Sequence, residues 1–225
     1  TDQDFVQIQI HTASKAEISR IQGGFNRLEI NYVRKISPQL TPEYIEQAQR
    51  VLLKSYDLGD RDPRHLAELG LCECDAGNDD EAKHFLKAAI SANVQRPRAY
   101  YEYARILFNE YSGNTPSVRF TEKQTTSIIE PLIRMSSQSP ALEEAYNLMC
   151  RTWLSSQLTP NPEQWDALEK AAFLFPRQAN ITYSIAKLYA KHDQTESAQK
   201  WIARGLNFST DSNVREQLQE LASTL

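Results

Sequence analysis

Apolar residues recur at intervals of three and four over most of the chain, which is the period of an amphipathic α-helix. The first such run lies within residues 13–36 and contains Ile18, Ile21, Phe25, Leu28 and Tyr32. Gly23 and Gly24 fall in its middle, and we expect them to weaken or kink the helix. The pattern therefore predicts an irregular N-terminal helix within residues 13–40.

Residues 5–11 follow a different pattern, because Val6, Ile8 and Ile10 alternate with polar residues. Alternation of this kind predicts an extended segment or a strand within residues 1–12. A single strand needs a partner. The segment could be the last strand of a preceding domain, an edge that forms a homo-oligomer through residues 5–11, or an extended stretch lying on the first helices.

From residue 41 to residue 225 the helical period continues, with short turns between runs. Thr41 followed by Pro42 is typical of a helix start, and Gly77 follows a predicted helix end as a C-terminal cap. The predicted helices span residues 42–57, 63–76, 79–92, 97–111, 121–136, 141–156, 161–175, 180–192, 194–207 and 211–224. The last has one apolar face only, as a capping helix at the end of an array requires.

Two stretches of the chain match at a spacing of 34 residues. Pro63-Arg-His-Leu-Ala-Glu-Leu-Gly70 is followed 34 residues later by Pro97-Arg-Ala-Tyr-Tyr-Glu-Tyr-Ala104, and Ala82 has a counterpart at Ala48. A fixed period of this size indicates stacked two-helix units in which each unit buries its apolar face against the next.

These positions resemble the tetratricopeptide repeat (TPR). Units beginning at Pro63, Pro97 and Ala179 place small or large residues where that family has them, at Leu66, Leu69, Gly70, Ala82, Leu86, Ala89, Tyr100, Tyr103, Ala104, Leu107, Ala186, Tyr189, Ala198, Ile202 and Gly205. The resemblance covers roughly residues 40–225 and implies an all-α, right-handed TPR-like α-solenoid of antiparallel helix pairs, preceded by the short N-terminal extended segment. Glu73, where the family usually has tyrosine, and a long loop at residues 111–119 imply irregular repeats.

Composition narrows the functions. The net charge is −4, which disfavours general nucleic-acid binding, because neutralising phosphates needs a basic excess. No apolar run approaches the roughly 18 residues of a membrane span, so we expect no membrane partner. Cys72, Cys74 and Cys150 show no disulfide spacing and are interpreted as small packed hydrophobes, which leaves the compartment open.

Nothing in the sequence indicates catalysis. The four histidines, His11, His65, His84 and His192, form no metal-binding spacing, and no phosphate-binding loop or nucleophile elbow occurs. Cys72 or Cys150 with a distant histidine could form a thiol nucleophile, but packing is the favoured interpretation on a helical background. We therefore predict no catalytic, cofactor or metal site.

The resemblance implies that the first helix of each unit lines a concave groove. Transferring the inward positions selects a basic and aromatic set for binding an acidic or C-terminal peptide: Arg64, Arg98, Tyr101, Arg105, Tyr183, Lys187 and Lys191. Arginine and tyrosine often anchor interfaces, and guanidinium groups recognise carboxylates. The alternative is a merely solvated face, with Arg64 and Arg98 paired to Asp62 and Glu102. Ala67 and Leu71 stand where the family's two-carboxylate clamp needs lysine and asparagine.

The sequence thus favours a non-catalytic protein-protein interaction module or scaffold. One alternative, motivated by the segment at residues 5–11 and the start at Thr1, is a spacer or substrate-presenting arm of a larger multidomain enzyme, including an exported one. Another is single-stranded RNA binding, which the acidity and the lack of a base-reading pair in each repeat disfavour.

Overall fold

The structure is a computed structural model that describes residues 14–113 and 119–225. Eleven α-helices and one 3₁₀ turn (Pro38–Leu40) account for nearly all of these residues, and no strand occurs among them. An isolated bridge joins Phe120 to Ser156. The all-α, TPR-like prediction is confirmed, whereas the segment predicted at residues 5–11 lies outside the described residues.

The ten helices after residue 40 each begin and end within two residues of their predicted limits, and the N-terminal helix, predicted within residues 13–40, spans Lys15–Ile36. In chain order the helices are α1 (Lys15–Ile36), α2 (Thr41–Asp57), α3 (Pro63–Ala76), α4 (Asp79–Ser91), α5 (Pro97–Ser112), α6 (Glu122–Ser136), α7 (Glu143–Leu154), α8 (Pro162–Leu174), α9 (Ala179–Lys191), α10 (Thr195–Phe208) and α11 (Ser212–Ser223). Side-chain caps fix several of these ends. Thr121 and Gln124 form a capping box at α6, and Gly77 ends α3 with φ = 82°, a backbone conformation that favours glycine.

The chain divides into two compact units, residues 1–103 and 104–225, with the boundary inside α5. In the first unit α1 packs along α2, α2 contacts α3, and α3 packs along α4. In the second unit α9 packs against α7, α10 and α11. The domain limits predicted at residues 12 and 40 stay a prediction.

Close helix contacts in both units are made at glycines. A Cβ on Gly23 of α1 would lie 2.6 Å from Leu52 Cδ2, and one on Gly70 of α3 would lie 2.7 Å from Leu86 Cγ. In the second unit a Cβ on Gly205 would lie 2.6 Å from a methyl of Leu218. Each leucine is fully buried at 0% exposure, so these contacts belong to the core. The absence of a side chain lets the partner helix approach closely.

The expected weakness at Gly23 and Gly24 does not interrupt α1, which runs through both glycines to Ile36. Gly23 is buried against Leu52, while a Cβ on Gly24 would have no atom within 4 Å. Packing along α2 therefore stabilises a helix that its local sequence disfavours.

The two adjacent glycines give a matched stability test. We expect Gly23→Ala to lower the free energy of unfolding by about 1–2 kcal/mol, because overpacking Leu52 outweighs the gain in helix propensity. Gly24→Ala should raise it by about 0.5–1 kcal/mol, because only the propensity gain applies. Urea denaturation of the two variants and the parent chain measures both changes, and equal shifts in one direction would contradict the packing of Gly23.

Candidate partner-binding surface

Three of the predicted site residues lie in the first unit. Arg64 is exposed, and its backbone N–H donates to the Asp62 carboxylate at 2.8 Å, which caps α3. The Arg98 guanidinium lies 2.7 Å from the carboxylate of Glu102 and 5.0 Å from the ring centre of Tyr101. The Arg98–Glu102 pair expected in the alternative is thus present, although Glu102 is only 6% exposed, and for Arg64 the bond to Asp62 comes from the backbone.

The other predicted residues belong to the second unit. Arg105 and Tyr183 are half-buried, and Lys187 is exposed with its Nζ 5.7 Å from the Tyr183 ring centre. Lys191 is placed differently, because its ammonium donates to the carbonyls of Trp153 at 2.9 Å and of Leu154 at 3.1 Å, and also to that of Ser156. Those contacts satisfy the last carbonyls of α7, so Lys191 acts there as a helix cap. Burial lowers its pKa, with a further contribution from Arg119.

Sequence reasoning missed an exposed apolar surface on α1. Its side chains are 44% to 66% exposed and form the apolar stripe of α1, which consists of Ile21, Phe25, Leu28, Tyr32 and Ile36. The opposite side of the helix, with Gly23, Ile30 and Val33, is the buried one. The sequence does contain a sign that the opposite face could be buried, because Gly23, Ile30 and Val33 place small or apolar residues along it.

A groove between α1 and α3 lies beside this stripe and has a volume of about 350 Å³. Apolar side chains of Ile21, Phe25 and Leu28 line it from α1. Its charged lining consists of Arg20, Arg64, Glu68 and Arg96. We call this cavity the α1–α3 groove. It combines apolar surface with three guanidinium groups, of which Arg20 pairs with Asp60 and Asp62 and Arg96 pairs with Glu68.

Ion pairs hold the two helices that form the groove. Arg27 of α1 donates to Glu68 of α3 at 2.8 Å and lies 3.7 Å from Asp75. Arg96 approaches the second oxygen of Glu68 at 2.6 Å, and Arg34 lies 3.0 Å from Asp75. Arg27 is only 9% exposed, so its pairing is less screened than that of a surface ion pair. The network fixes the distance between α1 and α3.

His65 lines the α1–α3 groove with a side chain that is fully buried. Neither ring nitrogen has a hydrogen-bond partner among the described residues. Burial lowers the pKa of His65, and the carboxylate of Asp60 only partly offsets this effect. The other charged groups that act on the ring are Arg20, Asp62 and Arg61. The ring is therefore neutral at pH 7.

The second unit exposes a different aromatic cluster. The Arg204 guanidinium lies 4.2 Å from the ring centre of Phe173, 5.5 Å from that of Phe208 and 5.7 Å from that of Trp201. Phe173 is 61% exposed, almost the same as Phe25 at 63%. Phe173 therefore offers a matched control for Phe25, because both rings are exposed on helices.

The thiols of Cys72 and Cys150 are not activated for nucleophilic chemistry. Burial raises the pKa of both Cys72 and Cys150 to about 12, so both thiols are protonated at neutral pH. Residues 14–113 and 119–225 contain no group of three or more histidine, cysteine or acidic side chains placed to hold a metal ion. Within the same ranges, every helix is too short or too polar to cross a membrane.

Burial of His65 should make stability depend on pH. Unfolded histidine has a pKa of about 6.5, while the folded value is lower, so below about pH 6.5 the unfolded chain binds a proton that the folded chain does not. We expect the free energy of unfolding to fall as pH drops from about 7.5 to about 5.5. His192, whose pKa burial also lowers, contributes with the same sign.

Urea denaturation across this pH range measures the slope. His65→Gln should flatten it, and His65→Gln with His192→Gln should flatten it further. His84→Gln, which changes an exposed histidine, is the control. An unchanged slope in the His65 variant would contradict the effect of burial.

Comparisons with known proteins find likeness in solved structures alone. No family model matches the chain, and no curated protein matches it. YrrB, a TPR protein with an unusual peptide-binding site, is 14% identical with a TM-score of 0.59, covering 85% of this chain and 88% of its own. MamA from Desulfovibrio magneticus is 17% identical, with a TM-score of 0.53 and coverage of 87% and 96%. The pilF protein of Pseudomonas aeruginosa is 13% identical, with a TM-score of 0.55 and coverage of 94% and 90%. The fold of this chain is therefore similar to that of tetratricopeptide repeat proteins.

Proposed function

We propose that the chain is a non-catalytic protein-interaction module that binds a peptide or protein partner through the first helices of its helix pairs. The TPR-like fold supports this role, because stacked helix pairs present extended surfaces for binding. The likeness to YrrB, which has a peptide-binding site, supports a peptide as one form of partner. The binding residues in this proposal are Arg64, Arg98 and Tyr101 in the first unit and Arg105, Tyr183 and Lys187 in the second.

The observation that carries the proposal is a cation held near a tyrosine ring on a first helix of both units. Arg98 lies 5.0 Å from the ring centre of Tyr101, and Lys187 lies 5.7 Å from that of Tyr183. A cation that already rests near an aromatic face loses less side-chain freedom when it meets a partner. Such pairs suit an acidic partner, because Lys187 can bind a carboxylate directly and the rings contribute contact area. Arg98 already pairs with Glu102, so a partner carboxylate would share its guanidinium with Glu102.

Lys191 has a weaker place in this proposal. Its ammonium already serves three carbonyls at the end of α7, and a partner carboxylate would have to compete with them. We therefore assign Lys191 to the support of the second unit rather than to the binding set. The acidic net charge of −4 continues to disfavour RNA as the partner.

The test is charge reversal at Arg98 and Arg105 in the full chain. The tagged parent chain should retain partner proteins from an extract of the source cells. The Arg98→Glu, Arg105→Glu variant should retain at least about tenfold less of them, because its contacts with partner carboxylates become repulsive. Quantitative mass spectrometry of retained proteins measures this. Lys200→Glu, at an exposed site on α10, is the matched control and should change nothing.

Retention that is equal in the reversed variant and the parent would contradict the proposal. Because Arg98 also pairs with Glu102, thermal denaturation must show that the reversed variant is folded at the temperature of the assay. Arg98→Gln, which removes charge without adding a carboxylate, should give an intermediate loss.

A further inference from the structure

We propose that the α1–α3 groove and the apolar stripe of α1 together bind one amphipathic helix of a partner protein, with acidic residues along the edge of that helix that faces α3. This inference rests on the proposed function and names the partner's chemistry in the first unit. The surface differs from the cation–tyrosine pairs, because it combines exposed aliphatic and aromatic side chains with arginines of a neighbouring helix.

The spacing of the stripe suits one helix as its occupant. Ile21, Phe25, Leu28, Tyr32 and Ile36 follow one another at intervals of four, three, four and four. This is a narrow seam, the width that one helix covers in a coiled coil. From Ile21 to Ile36, sixteen residues, the seam is about 22 Å long, at a rise of about 1.5 Å per residue. A partner helix of about four turns covers it.

The exposed face of α1 differs in composition from the exposed face of α11. At the other end of the chain, α11 buries Val214 and Leu218 and exposes polar residues such as Glu216, Gln219 and Glu220. On α1 the exposed face instead carries five large apolar side chains. Contiguous exposed apolar surface of this kind marks interaction sites, since soluble proteins rarely leave it uncovered.

The charges beside the stripe indicate where a bound helix would carry its acidic residues. On a helical wheel the side of the stripe nearest α3 carries Arg20, which lies 3.2 Å from Asp62 and 3.8 Å from Asp60. Arg96 pairs with Glu68, so Arg64 is the cation of the groove that is left to meet a partner carboxylate. Arg64 has no ion pair among the described residues and is exposed. The opposite side of the stripe carries Gln22 and Glu29, both exposed. A bound helix is therefore expected to place carboxylates toward α3 and neutral or basic residues on its other edge.

His65 makes covering the groove less costly. Its ring lines the groove, is already shielded from water, and has no hydrogen bond among the described residues that a partner would break. A neutral ring that is already shielded needs no further desolvation when a partner covers the groove. The polar contacts of a partner then fall to the arginines, of which Arg64 is the most accessible.

A second copy of this chain fits the charges less well in an antiparallel arrangement. Two antiparallel α1 helices meeting along the stripe would bring like edges together, as in antiparallel coiled coils. Arg64 and Arg96 would then face their own counterparts. A parallel copy avoids that repulsion, so the oligomeric state is measured together with binding.

The experiment selects ligands for the full chain from a library of 16-residue peptides displayed on phage. Selected peptides should share apolar residues at helical spacing and aspartate or glutamate on one edge. Fluorescence anisotropy of a labelled selected peptide then gives its affinity. We expect Phe25→Ala and Leu28→Ala each to weaken binding about tenfold, while Phe173→Ala, at a ring of matched exposure, leaves it unchanged.

A charge swap provides the sharpest readout. Arg64→Glu should weaken the acidic peptide about tenfold and strengthen a version whose edge glutamates are replaced by lysine. Because Phe25, Leu28 and Arg64 are exposed, these variants should keep the thermal stability of the parent. Recovery of affinity by the swapped pair cannot result from misfolding.

Other results would overturn this inference and separate it from the proposed function. If Phe25→Ala and Arg64→Glu leave the affinity of the selected peptides unchanged but Arg98→Glu lowers it, this site is rejected and the proposed function is retained. A library that yields no ligand would reject both. If the parent chain sediments as a dimer and Phe25→Asp makes it a monomer, the occupant is a second copy of the chain. If removing residues 1–13 raises peptide affinity tenfold, the occupant is that segment.

Discussion

The structure depends on helices approaching one another closely at positions where a side chain is missing. Gly23, Gly70 and Gly205 each face a fully buried leucine of a neighbouring helix. A leucine that fills the space above a glycine brings two helix backbones together and buries apolar surface on both. In the first unit this contact joins the two helices of a pair, α1 with α2 and α3 with α4, and in the second unit it joins α10 to α11. In α1 the packed face is the one with Gly23, so the opposite face, with the apolar stripe, stays exposed.

Departures from the repeat pattern are compensated by local polar partners. Glu73, which stands where the family usually has tyrosine, is only 2% exposed, yet its carboxylate accepts hydrogen bonds from Gln49 at 2.8 and 3.0 Å and from Asn78 at 2.7 Å. Arg27 is buried in α1 and pairs with Glu68. Burying such groups without partners would cost several kcal/mol. The first unit therefore replaces part of the usual apolar packing with specific polar contacts that fix the spacing of α1, α2 and α3.

The helices could be predicted from the sequence because apolar periodicity and caps are local signals. The 34-residue repeat that begins at Pro63 and Pro97 was likewise sufficient to predict the fold. The sequence did not reveal which face of α1 is buried. Ile21, Phe25 and Leu28 form the stronger apolar pattern, yet they are exposed. The face with Gly23 is buried instead, because it packs closely on Leu52. Lys191 shows a similar limit, since its carbonyl partners come from residues more than 30 positions earlier. Contacts between distant segments are not readable from spacing alone.

In the proposed binding surface, the choice of partner depends on charge differences between the two sides of the apolar stripe and not on chemically reactive groups. The thiols of Cys72 and Cys150 stay protonated through burial, and they contribute packing. The two sides of the apolar stripe differ, with the exposed Arg64 of α3 on one side and Glu29 of α1 on the other. Apolar burial supplies affinity that many helices could share, whereas the asymmetric charges distinguish one orientation and one class of partner from the others. The ion pairs of Arg27 hold α3 beside α1, so the same network that stabilises the first unit also sets the distance between the apolar and the charged parts of the surface.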